Sequence, residues 1–73
     1  MSHRLDTLEA EYAELRAELP NLTHDEVLDR AEAFVLAAAA PGNDWIASVA
    51  ALRKAQLCQT ESLRRALRGN DAR

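Results

Sequence analysis

The sequence predicts an all-α fold: a three-helix bundle, or a helical hairpin with a long third helix, completed by oligomerisation or by a partner. Three observations lead there. Alanine (15) and leucine (11) dominate the apolar residues, while Val, Ile and Thr together number only seven, a balance that favours helix over strand. Two glycines and two prolines leave few breaks, and these should mark nearly all the turns. Apolar spacings of three and four recur along most of the chain. Seventy-three residues make a single domain. A chain this short buries only about 60% of its unfolded surface, so a lone monomer is marginally stable.

The first helix is expected over about 3–19. Leu5, Leu8, Tyr12, Leu15 and Leu19 form one narrow seam, and Pro20 disfavours α geometry at Leu19. Tyr12 reads as core edge. The second helix is expected over about 24–40. It opens on a capping box in which Thr23 caps, Glu26 reaches back and Leu22 packs on Val27. Its core stripe is Val27, Leu28, Ala31, Phe34, Val35 and Ala38. Leu36, flanked by Ala33 and Ala40, points the opposite way. Pro41-Gly42 ends it, and Asn43 or Asp44 caps the next.

The third helix is expected over about 44–68, with Gly69 as its stop and 69–73 as a flexible tail. Positions 45, 49, 52, 56, 59, 63 and 66 keep a strict four-three alternation, apolar at both ends and interrupted by Gln56 and Gln59. Trp45 reads as core, closing over the end of the second helix. Helices of about 17 residues span roughly 25 Å, whereas 25 residues reach roughly 37 Å. About 12 Å of the third helix, including Leu63 and Leu67, therefore lacks an intrachain partner. The Leu36 side of the second helix lacks one as well. Contiguous exposed apolar surface on a small protein marks an interface. The candidate interface is thus Leu36, Ala33, Ala40, Gln56, Gln59, Leu63 and Leu67.

Charge is unevenly distributed. Residues 1–44 carry ten acids and three bases, whereas residues 45–73 carry two acids and six bases. Glu11, Glu14 and Glu18 form an acidic strip without a base three or four residues away, suited to a basic partner or to the third helix. Glu26–Arg30 and Glu61–Arg65 are in the favourable helical orientation. Arg53, Lys54, Arg64, Arg65 and Arg68 form a basic arc of about 120° beside the third-helix seam. That arc raises the possibility of nucleic acid, since the second helix, a PGN turn and the third helix loosely imitate a helix-turn-helix. The early residues of a reading helix would here be Trp45, Ile46, Ala47 and Ser48, and the whole chain is acidic.

Several function classes find no support. No apolar stretch approaches 18 residues, and the N-terminus lacks a signal-peptide pattern, so no membrane partner is expected. A lone Cys58, off the third-helix seam, fits inert packing in a reducing cytoplasm. His3 and His24 are the only imidazoles and show no ligand spacing; His24 reads as a solvated first-turn residue. The expectation is a cytoplasmic helical protein–protein interaction module: an accessory subunit, adaptor, or inhibitor and regulator. It would have no catalysis, cofactor or metal, and would meet a protein partner or itself as a homo-oligomer. The alternative is a dimeric DNA-binding regulator or antitoxin that uses the basic third helix.

Overall fold

The computed structural model describes the backbone of residues 3–71 and the side chains of residues 4–69. It is all-α: α1 covers His3–Glu18, α2 His24–Ala38 and α3 Trp45–Asp71, with a short 3-10 turn at Leu19–Asn21. Pro20 explains the first break. It bars α geometry at Leu19, and the chain tightens so that the Leu22 N–H donates to the Leu19 carbonyl at 3.1 Å.

The capping box forms as the sequence predicts. The Glu26 N–H donates to Thr23 Oγ1 at 3.2 Å, and the Thr23 N–H donates to Glu26 Oε1 at 2.8 Å. Leu22 packs against the cluster that contains Val27. α2 stops at Ala38, slightly before the expected end at 40, because the Ala39 and Ala40 N–H groups already close the last turn onto Val35 and Ala37. Gly42 then reverses the chain at φ 88°, a left-handed value that favours glycine. Asp44 caps α3 by accepting the Ala47 N–H at 2.8 Å, while the Asn43 amide donates to the Ala37 carbonyl.

α3 does not stop at Gly69. It continues to Asp71, so residues 69–71 are helical rather than a flexible tail, and 72–73 lie outside the described residues. A glycine ends a helix only when it turns left-handed, and Gly69 has no positive φ.

α2 packs antiparallel along α3, and this is the tight contact of the fold. Ser48 Oγ donates to the Ala38 carbonyl at 3.0 Å near one end, and Val27, Ala31 and Cys58 meet further along. α1 runs parallel to α3, from Arg4 beside Asp44 to Leu19 beside Arg65. The core is Leu15, Leu19, Val27, Ala31 and Cys58, edged by Leu22, Phe34 and Leu57. The molecule measures 50 × 23 × 14 Å. Its thin dimension is little more than one helix diameter of roughly 10–12 Å, which is why so few side chains are fully enclosed.

The phase of α3 corrects the reading of the first half of its seam, while Gln56, Gln59, Leu63 and Leu67 are exposed as expected. The 45, 49, 52, 56, 59, 63, 66 seam faces solvent, and the opposite face packs inward, with Ala55, Cys58 and Glu61 buried and Ala51, Lys54 and Arg65 half-buried. Small side chains decide this: Ala31 on α2 against Ala55 and Cys58 on α3 lets the two helices approach closely and multiplies dispersion contacts. Trp45, expected in the core, is 74% exposed. Leu28 and Val35 are also exposed, because Val27, Ala31, Phe34 and Ala38 alone occupy the narrow inward stripe of α2. Leu5, at the far end of the α1 seam, is exposed too, whereas Leu8 and Tyr12 are half-buried.

Candidate protein-interaction surface

The outward face of α3 carries Trp45, Val49, Leu52, Leu63 and Leu67, with Gln56 and Gln59 between them, all exposed. α1 touches one flank of α3 near Ile46 and Leu57, and α2 touches the other near Ala55 and Cys58. At 100° per residue these flanks lie roughly 140° apart, leaving a wide uncovered arc on this side. A groove of about 280 Å³ between Leu5, Leu8, Trp45 and Val49 continues the face onto α1.

The α2 contribution follows from two contacts. Arg30 sits 3.7 Å from Glu18, on the underside of the layer, where the cleft lined by Glu11, Glu14, Arg30 and Phe34 opens. Leu5 and Glu9 occupy the other flank of α1, beside Trp45 and Val49. On α2, Leu28 and Val35 lie across the Val27–Ala31–Phe34 stripe from Arg30, and so on the same side as Trp45 and Val49. This side of the layer is therefore apolar along α3 and α2 and reaches Leu5 at one end of α1, whose flank otherwise carries Glu9 and Arg16. Leu36 is 65% exposed, with Ala33 and Ala40 also exposed, but it lies about 100° around α2 from Val35. The fold does not bring the Leu36 patch together with Leu63 and Leu67.

The charge asymmetry closes largely within the chain. Arg4 pairs with Asp44 at 2.6 Å, Arg53 with Glu9 at 3.2 Å and Lys54 with Glu11 at 2.8 Å, stitching α1 to α3. Arg53 also stacks 4.6 Å from the Tyr12 ring centre, and Lys54 lies 5.6 Å from that of Phe34. Of the acidic strip, Glu11 meets Lys54 and Glu18 meets Arg30, while Glu14 lines the underside cleft. Arg30 leans toward Glu18, and the Glu26 carboxylate serves the cap. The rest of the basic arc converges on Glu61: Arg64 and Arg65 at 2.8 Å each and Arg68 at 4.0 Å.

Sequence reasoning missed the importance of Glu61, which is only 6% exposed. Arg65, held by Glu61, also donates to the Leu19 carbonyl at 2.7 Å and so fastens the end of α1 to α3. The one available signal was position: Glu61 lies opposite the apolar seam, on a face it shares with Ala51, Ala55, Cys58 and the two cations Lys54 and Arg65.

Burial pushes the Cys58 thiol up from its ordinary 9.0. His24 is exposed in the first turn of α2, and the His3 side chain lies outside the described residues. Among the described residues no group of three His, Cys, Asp or Glu could hold a metal, and no helix is long and apolar enough to cross a membrane.

Arg4 and then the Ala47 N–H hold the Asp44 carboxyl down to about 2 from an ordinary 3.8. The Thr23 N–H lowers Glu26, and Arg65 lowers Glu61, both from 4.5. These depressed carboxyls contribute stability that is complete above their unfolded values and lost as pH falls through the folded ones. The raised thiol acts inversely, its contribution present below 9.0 and lost as pH rises past it. A thermal melt followed by circular dichroism should therefore be flat between about pH 5 and 8, fall progressively below about 4.5, and fall again in alkali. An unchanged melting temperature down to about pH 2 would contradict these assignments.

The fold and this surface define a class, a small all-α protein with a large exposed apolar face on its third helix. No protein-family model matches the chain, and no curated protein or solved structure matches it either.

Proposed function

We propose that this chain is a helical protein–protein interaction module, without chemistry of its own, working through the apolar side built on α3. The observation that carries the reading is the exposure of Trp45, Val49, Leu52, Leu63 and Leu67 at 74, 43, 46, 61 and 57% on one helix face. A helix face with five large apolar residues in water is costly to keep unless it is covered by another protein surface, and Trp is a favoured anchor at such contacts. This is the α3 part of the candidate interface; Leu36 with Ala33 and Ala40 forms a separate, smaller patch.

A DNA-reading role for α3 is less favoured. Lys54 and Arg65 have side chains only 15 and 19% exposed, and every member of the basic arc pairs with a carboxylate of the same chain. Phosphate would have to displace those carboxylates.

The test compares the wild-type chain with Leu52→Glu/Leu63→Glu at native abundance in its source cell. The wild type should elute in an assembly heavier than its 8.1 kDa, and the variant at chain mass with its helical signal intact. Elution of both at chain mass would remove the reading.

A further inference from the structure

Resting on that reading, we propose that the partner for this face is a second copy of the chain, docked antiparallel about a two-fold axis passing through Gln56. Four of the five large apolar residues of the α3 stripe are symmetric about that residue. Trp45 and Leu67 stand eleven positions to either side of it, and Val49 and Leu63 seven. A two-fold axis perpendicular to α3 at Gln56 therefore sets Trp45 on the partner's Leu67, Val49 on the partner's Leu63, and Gln56 on its own copy. Trp45, Val49, Leu63 and Leu67 each meet an apolar residue, Leu52 falls level with the partner's Thr60, and the two central amides can donate to and accept from each other, which fixes register.

The flanking helices follow the same symmetry approximately, α1 more closely than α2. α2 runs antiparallel to α3, with Ala38 level with Ser48 and Val27 near Cys58. Leu28 and Val35 then lie on opposite sides of Gln56, level with about positions 58 and 51, so the axis lays the apolar α2 flank over the partner's α2 flank, with Leu28 beside the partner's Val35 but not directly opposite it. On α1, Glu9 is level with Arg53, and Arg16 shares a groove with Thr60 and Arg64. These also straddle Gln56, so Glu9 comes to face the partner's Arg16. A parallel pairing would instead lay the charged α1 flank over Leu28 and Val35, covering charge with apolar surface and no counter-ion.

The area agrees. The chain exposes 5373 Å², about 900 Å² more than the roughly 4,500 Å² expected for a compact chain of 8.1 kDa. A standard interface covers about 800 Å² on each partner.

The experiment is sedimentation equilibrium on the full chain at roughly 100 μM, with circular dichroism to show that each variant remains helical. The wild type should have twice the chain mass. Val49→Lys and Leu63→Glu should each raise the dimer dissociation constant at least about 100-fold, since each places an unpaired charge in the interface. Mixing the two variants should restore dimer, because only the antiparallel register sets the lysine introduced at position 49 against the glutamate introduced at position 63. If a variant loses helicity, Gln56→Cys supplies the second readout: mild oxidation should cross-link it across the axis, while the wild type, whose only thiol is the buried Cys58, should not cross-link.

A monomeric wild type overturns self-pairing yet leaves the interaction reading standing if a heavier assembly in the source cell still depends on Leu52 and Leu63. A dimer that both single variants leave intact places the contact elsewhere and overturns the proposal. Two monomeric variants that fail to combine overturn the antiparallel register.

Discussion

Replacing Glu61 with alanine should destabilise the fold by about 2–3 kcal/mol, the largest loss expected from any single polar side chain here. The Glu61 carboxylate is 7% exposed and accepts from both Arg64 and Arg65. Removing it strands the Arg65 guanidinium, itself only 19% exposed, in a site built around a negative charge. Fully buried pairs lose about 3–5 kcal/mol on such a change. The value here should be lower, because Arg64 and Arg68 are 60 and 68% exposed and recover hydration. Glu61→Gln should cost less, since an amide oxygen still accepts one hydrogen bond. Arg64→Ala should stay within about 0.5 kcal/mol, as expected for an exposed partner. Chemical denaturation at one fixed protein concentration measures all three. A Glu61→Ala loss below about 0.5 kcal/mol would mean that the cluster contributes no more than a surface pair.

The second large effect is expected at Val27. It is 0% exposed at the point where α2, α3 and the turn after α1 meet. Val27→Ala leaves a void that neighbouring helices in a thin layer can only partly close, for about 2–3 kcal/mol. For a chain of this size that corresponds to a fall in melting temperature of roughly 10–20 °C. Leu36→Glu is the paired control: at 65% exposure it should change stability by no more than about 0.5 kcal/mol and spare the helical signal. Equal losses at both positions would show that the packing of α2 is not as described.

These two sites show how far the sequence could be read. The Thr23–Glu26 box, Pro20 and Pro41-Gly42 act through groups a few residues apart, so helix number, order and approximate ends were legible. Leu36 was legible as exposed, because its phase on α2 is opposed to that of Val27 and Ala31. The face of α3 was not. Trp45, Val49 and Leu52 carry more apolar surface than the alanine-rich face, and a ranking by hydrophobicity alone turns them inward. Nor was the fate of the basic arc legible, since its carboxylates lie forty or more residues away in Glu9 and Glu11 or on the inward side of the same helix in Glu61.

By itself the sequence determined an all-α chain with three helices, their punctuation, and an apolar stripe on the third helix interrupted by Gln56 and Gln59. Those features depend on backbone preference and on contacts within a turn or two, which local residue order specifies. Only the tertiary structure decided which side of α3 meets α2. That choice depends on how closely two backbones can approach over Ala31, Ala55 and Cys58, a property of both helices together. It buries the small face, encloses Glu61 with its arginines, and leaves the large apolar face outside.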